Sequence, residues 1–265
     1  MTQEYFEPTL FIREGRKTKV DLSKTPFFGI VHGLPNYVTT PPKGFKLVEL
    51  AKRASSQHLG REYAVSAAHT QSPEPKYGEN TRLTIDGSEL GYEPMWATRK
   101  TAAAFGMLLV EEGQYARMDG PELQLMQIDY DCGMFAGHQS PYLGTGFHLL
   151  GKVCTDLEHH NFPHVFASVD LNLPLVISVG RFWPKARKIY LADLWLPRGK
   201  ALYVPPRPRQ KNPVYIDLHG NRNSALACWR NSEQPSVRTR TLLQTDHSYF
   251  YWFWNDLPTI HPLLK

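Results

Sequence analysis

Thr98-Arg99-Lys100-Thr101-Ala102-Ala103-Ala104-Phe105-Gly106-Met107-Leu108-Leu109-Val110-Glu111-Glu112 is the stretch on which the fold class turns. Read as a helix, it runs from Thr98 to Glu112 and stops at Gly113. Apolar residues at Ala102, Ala103, Ala104, Phe105, Met107, Leu108, Leu109 and Val110 cover much of its girth, which places it in the core. A second helix is expected from Gly44 to Gly60. There Leu47, Leu50, Ala51 and Ala54 recur at helical spacing, Lys46, Lys52 and Arg53 fall off that stripe, and Gly60 is the stop.

Outward from these helices the chain reads as strands. Thr9–Ile12 and Pro26–Val31 are expected as two short strands around a turn carrying Arg13, Arg16, Lys17, Lys19 and Lys24. Arg82–Ile85, Leu123–Tyr130, Val165–Val169, Leu173–Val179 and Val214–Leu218 are further strand candidates. Lys188–Trp195 and Ala201–Val204 fit a hairpin across Pro197-Arg198-Gly199. Six consecutive aromatics, Tyr249 to Trp254, favour a strand with rings on both faces. Ser224–Arg230 reads as one or two helical turns. The expected class is therefore α+β: a mixed N-terminal half with two helices and a strand-rich C-terminal half of antiparallel sheet. One domain over residues 1–265 is expected, with 1–180 and 181–265 as the alternative division.

The bulk numbers fit a folded protein. A chain of 265 residues with 42% hydrophobic and 21% charged content can bury a core. Three scattered cysteines, Cys132, Cys154 and Cys228, form no Cys-x-x-Cys pair, which speaks against a disulfide framework or a zinc ribbon. The opening Met1–Pro8 is acidic and proline-broken, unlike a signal peptide, and the longest apolar run, Ala102–Val110, is too short to span a bilayer. A cytoplasmic protein with no membrane partner is expected.

Charge supplies the functional expectation. Residues 181–240 hold thirteen Lys and Arg against three acids, Asp193, Asp217 and Glu233, in a chain whose net charge is only +5. Phe182, Trp183, Tyr190, Trp195, Tyr203, Tyr215 and Trp229 are interleaved with them. Guanidinium groups pair with phosphates and flat rings stack on bases, so single-stranded RNA is the expected partner. The expected contacts are Arg181, Arg187, Arg198, Arg207, Arg209, Lys211, Arg222, Arg230, Arg238 and Arg240, with Trp183, Trp195 and Trp229 for stacking. Other subunits of a ribonucleoprotein, or an acidic protein, are the alternative partners.

The enzymatic alternative is a metal-independent endoribonuclease using His219 and His247 as acid and base beside Arg222, Arg238 and Arg240. Other motifs are weaker. Gly146–Lys152 has P-loop spacing, but Val153 stands where a magnesium-binding hydroxyl belongs. Asp217-Leu218-His219-Gly220-Asn221 is similar to the opening motif of calcineurin-like metallophosphoesterases, whose further motifs do not follow it. His138, His148, His159, His160 and His164, with Cys132, Cys154, Asp156 and Glu158 among them, have the density of a transition-metal site. Pro163 breaks the helical pairing of His160 with His164, and these histidines are expected at the surface or in turns. No cofactor or metal is expected.

Overall fold

The computed structural model describes residues 7–10, 17–52, 57–71, 78–120, 124–135, 155–172, 174–220, 236–244, 249–257 and 259–260. They form a β-protein, not an α+β one. The one helix among them, α1 (Arg99–Ala104), is six residues long. It opens as expected: Thr98 caps it, accepting from the Thr101 N–H, while the Thr101 hydroxyl accepts from the Thr98 N–H. It then stops early. Gly106 takes φ +67°, and Leu108–Glu111 continues as strand β10. An apolar run bounded by glycine suits a buried strand as well as a buried helix. Here the cross-strand partners of Leu108–Glu111, Lys200–Tyr203, decide it. The second expected helix is not formed by the described residues of its range, while 53–56 lie outside them. Lys46–Leu47 is a short strand, β5, and Leu50–Lys52 is irregular.

The largest unit is a closed barrel. Its staves are β6 (Arg61–Thr70), β7 (Gly78–Ile85), β13 (Thr155–His160), β15 (Leu175–Trp183), β16 (Lys188–Leu196), β18 (Ile216–Gly220) and β20 (Phe250–Asn255). The order is β15-β18-β13-β20-β7-β6-β16, and β16 returns to pair with β15. β9 (Glu93–Trp96) continues β6's edge along β16, and β8 (Leu90–Gly91) pairs with β21 (Thr259–Ile260). Leu157, Phe182, Leu218, Phe253, Leu83 and Val65 fill the interior. The space there is tight: a Cβ on Gly180 would lie 2.8 Å from Leu157 Cδ1 and 3.1 Å from Leu191 Cδ2.

Two further sheets are stacked on one side of it. One contains β1 (Glu7–Leu10), β2 (Lys17–Asp21), β10, β12 (Gln124–Phe135), β14 (His164–Ser168), β17 (Lys200–Val204) and β19 (Ser236–Gln244). The other is β3 (Phe27–Val31), β4 (Leu34–Val38), β5 and β11 (Gln114–Arg117). Alternation assigns the faces of the first sheet. Phe166, Leu109, Leu202 and Val204 pack with Ile177, Val179 and Leu194 from the barrel, and with Phe105. Val165, Val110, Tyr203 and Leu242 pack with Phe28, Ile30 and Ala116 of the four-stranded sheet. The result is three layers, with the larger of these two sheets in the middle.

The expected hairpin of Lys188–Trp195 with Ala201–Val204 is also corrected. β16 stays in the barrel while β17 crosses to the middle sheet. Barrel and middle sheet each draw strands from both sides of residue 180. The pairings are mainly antiparallel, with parallel contacts at β20–β7, β16–β9, β11–β5 and β21–β8. No helix among the described residues is long and apolar enough to cross a membrane.

Candidate metal centre

The chain changes layer between His160 and His164. His160 ends β13 in the barrel, Asn161-Phe162-Pro163 makes the corner, and His164 begins β14 in the middle sheet. Pro163, which rules out a helical pair, sits in the turn that brings the two rings together. The third histidine comes from register. Antiparallel β13 and β18 place Glu158 opposite His219, so both point to one face, and His160 two residues on shares it. That face is the barrel's outer side, covered by β14.

His160, His164 and His219 are all buried, and their ligand nitrogens lie within 4.8 Å of one another. His160 Nε2 is 3.1 Å from His219 Nε2 and 3.3 Å from His164 Nδ1. His160 Nδ1 donates to the Phe162 carbonyl at 2.7 Å, which fixes the tautomer and leaves Nε2 bare when the ring is neutral. Rings hold the imidazoles in place: Phe162 stacks on His160 and Phe166 on His164, each at 3.8 Å, and Phe250 meets His160 edge-on. Next door, His159 Nδ1 donates to the Arg207 carbonyl at 2.8 Å and stacks on Tyr251. These histidines are thus core residues, not the surface or turn histidines expected.

Burial sets their charge. Desolvation pushes His160 down to about 3 and His159 to about 4, and holds His164 and His219 well below the ordinary value. All four are neutral near pH 7, the form that binds metal. The single in-plane lone pair of His160 Nε2 faces two other nitrogens. His164 Nε2 and His219 Nδ1, the ring nitrogens on the far side from these contacts, are buried with no hydrogen-bond partner among the described residues. Metal–nitrogen bonds of about 2.0–2.1 Å in a tetrahedron set neighbouring nitrogens about 3.3–3.4 Å apart, close to the two spacings seen. Glu158 adds one oxygen, Oε1, at 3.9 Å from His219 Nε2, with its side chain 25% exposed.

Comparison with protein-family models, curated proteins and solved structures returns no match. Geometry is therefore the ground for any function.

The structure distributes the expected RNA contacts over several places. Arg181 is 2% exposed and donates from Nε to Asp217 at 2.5 Å. Arg207 reaches the same carboxylate at 3.4 Å. Trp183 is half-buried beside Tyr215, and Arg181 lies over the Tyr215 ring at 4.5 Å. Arg187, at φ +52°, and Lys185 stand exposed in the turn after Trp183. Arg209 is exposed but paired with Glu79, and Lys211 is exposed. Arg198 reaches the Val169 carbonyl, and Trp195 packs edge-on against Trp96. Arg240 pairs through two bonds with Asp129 in the middle sheet, and Arg238 sits in register with Asp131.

Of the expected catalytic pair, His219 is wholly buried. His247, Arg222, Arg230 and Trp229 lie outside the described residues, as do His138, His148, Cys154, the P-loop-like segment and Ser224–Arg230. Sequence reasoning set His160 and His164 apart from His219, and it missed the Arg181–Asp217–Arg207 group. The density of histidine around residue 160 was the available signal.

Proposed function

We propose that the protein binds a divalent transition-metal ion through His160 Nε2, His164 Nδ1 and His219 Nε2, and uses it as a Lewis acid. The observation that carries this is the convergence of three neutral, buried imidazole nitrogens from two different sheets. Imidazole with carboxylate suits zinc and its neighbours better than magnesium or calcium. Three neutral ligands leave the ion its full charge and one position for water, whose pKa such an ion lowers to about 7. Glu158 stands on the cluster's more open side, placed to orient or deprotonate that water. Hydrolysis or hydration is the reaction class this arrangement serves. The proposal departs from the expectation that no metal is held.

The test uses EDTA-treated protein. Zinc is titrated by calorimetry and cobalt by its visible spectrum at pH 7.5. One equivalent with tetrahedral cobalt bands is expected, and His160→Ala or His219→Ala should weaken binding at least a hundredfold. Absence of stoichiometric binding, or unchanged binding in His219→Ala, overturns the reading.

RNA binding is the second reading, favoured by one corner of the barrel. There Lys185 and Arg187 are exposed in a tight turn, with Trp183 and Tyr215 beside them. Arg181 and Arg207 face the buried Asp217, and Arg240 is paired with the half-buried Asp129, so this corner is where a single strand would be met. Anisotropy of labelled RNA against salt tests it: Lys185→Ala/Arg187→Ala should reduce both affinity and salt slope.

A further inference from the structure

β6 runs past the strand that flanks it. Over Arg61–Ala64 it pairs with β16 on one side, and over Val65–Thr70 with β7 on the other. On the β16 side the Val65 N–H still reaches the Arg187 carbonyl at 2.9 Å, in the turn before β16 begins. A bulge at Ser66 marks the changeover. From Ala67 to Thr70, β6 has no strand beside it on that side among the described residues, and all four residues are exposed. The register says which backbone groups stand open. The Gln71 N–H donates to the Asn80 carbonyl opposite it, so Gln71, His69 and Ala67 turn their N–H and C=O groups toward β7. Ala68 and Thr70 turn theirs outward. The 3.0 Å contact between the Thr70 and Thr81 hydroxyls fits such a pair, whose side chains lie closer because the backbones do not bond.

Strand edges are ordinarily blunted by lysine, proline or a covering group, because an open edge is a template for another strand. β9 has that protection. Its outward groups are those of Pro94, which has no N–H, and of Trp96, whose carbonyl accepts from the Thr101 hydroxyl at 2.9 Å. Ser66-Ala67-Ala68-His69-Thr70 has no lysine, arginine, carboxylate or proline. We propose that this edge pairs antiparallel with the same edge of a second copy of the chain, about a two-fold axis at His69. Ala68 of each copy then faces Thr70 of the other, and their outward N–H and C=O groups bond in both directions. His69 of one copy stands beside His69 of the other. The occupant is a second copy because a strand paired antiparallel with itself is isologous: both open edges close together, and none is left to recruit a third chain. An acidic or basic peptide would find no charge to answer on this stretch. The paired stretch is short beside the roughly 20–30 residues a side of a standard interface, so the dimer is weak and driven by concentration.

The test is analytical ultracentrifugation of the full-length protein at pH 7.5, from about 1 to 500 µM. EDTA is present, so that no metal bridges two histidines and the outcome does not depend on the metal centre. The mass should rise from one chain to two across this range. Ala68→Pro removes one outward N–H from each copy and none that faces β7, and should weaken the dimer about tenfold, with far-UV circular dichroism to check the fold. His69→Lys sets like charges opposite each other across the axis and should weaken it about fivefold, whereas His69→Val places a β-branched pair there and should tighten it about twofold. His69 is exposed, so folding is not at stake and its variants decide the matter if Ala68→Pro unfolds. Hydrogen exchange at the two ends of the range gives the location: the Ala68 and Thr70 amides should slow as the dimer forms. A single-chain mass throughout, a dimer unchanged by His69→Lys, or Ala68 and Thr70 amides that exchange equally fast at both concentrations overturns the proposal.

Discussion

Acidification between pH 6.5 and 5 should destabilise this protein steeply, because three histidines are buried neutral in one cluster. In the folded state His160 titrates at about 3, and His164 and His219 well below their ordinary 6.5. In the unfolded chain all three titrate near 6.5, so below that pH the unfolded state binds more protons. Stability is therefore complete above pH 6.5 and falls as pH drops from there toward the folded values. At pH 5 each such histidine costs about 2 kcal/mol and the three together about 6 kcal/mol. That rivals the roughly 5–15 kcal/mol of a whole domain. His159, at about 4, adds in the same direction. Glu62 and Glu111, held below their ordinary 4.5 by hydrogen bonds from Lys188 and Lys200, act mainly at lower pH and leave this window to histidine. The assay is urea unfolding in EDTA at pH 8, 7, 6 and 5, followed by tryptophan fluorescence and circular dichroism. A slope approaching three protons, about 4 kcal/mol per pH unit, is expected below pH 6. Equal stability at pH 7 and pH 5 would refute the burial argument.

Three further outcomes follow from particular contacts. Asp217→Asn leaves the Arg181 and Arg207 guanidiniums without their shared acid and should cost about 3–5 kcal/mol in urea unfolding. Thr98→Ala removes the reciprocal cap of α1 and should cost about 1 kcal/mol, read as a lower melting temperature. Glu158→Gln should weaken zinc binding only about tenfold while His219→Ala weakens it at least a hundredfold, because Glu158 acts beside the ion and His219 on it. Calorimetry on the two variants checks the ratio.

The strands were legible where their signal was local. Pro26–Val31, Arg82–Ile85 and the aromatic run before Asn255 lie in β3, β7 and β20. Alternation or β-branched and aromatic content is a property of a few neighbouring residues. The two helices were misread for different reasons. In Thr98–Glu112 the cap and the alanines do form a helix, but Gly106 turns the chain and Leu108–Val110 is claimed by Ala201–Tyr203, ninety-odd residues away. In Gly44–Gly60 the helical spacing of Leu47, Leu50 and Ala51 is coincidental, and Gln114–Tyr115 draws Lys46–Leu47 into a sheet. The candidate centre was legible only in pieces. His160 and His164 were visible as a dense group, while His219, 59 residues from His160, joins them through a register that no local pattern encodes. Charge counts were no guide to exposure, since Arg181 is among the largest fully buried side chains.

The barrel's closure bears on how the chain is made. β20, Phe250–Asn255, is wedged between β13 and β7, pairing with Thr155–His160 on one side and Gly78–Arg82 on the other. During translation, β6 and β7 leave the ribosome long before the strand that must seat between β7 and β13. Until residue 255 emerges, two staves present unpaired edges and the histidine corner lacks the Phe250 wall behind it. A nascent chain arrested short of that strand would be open on one side, a natural client for chaperones that bind exposed strand edges, and the barrel closes only once β20 has emerged.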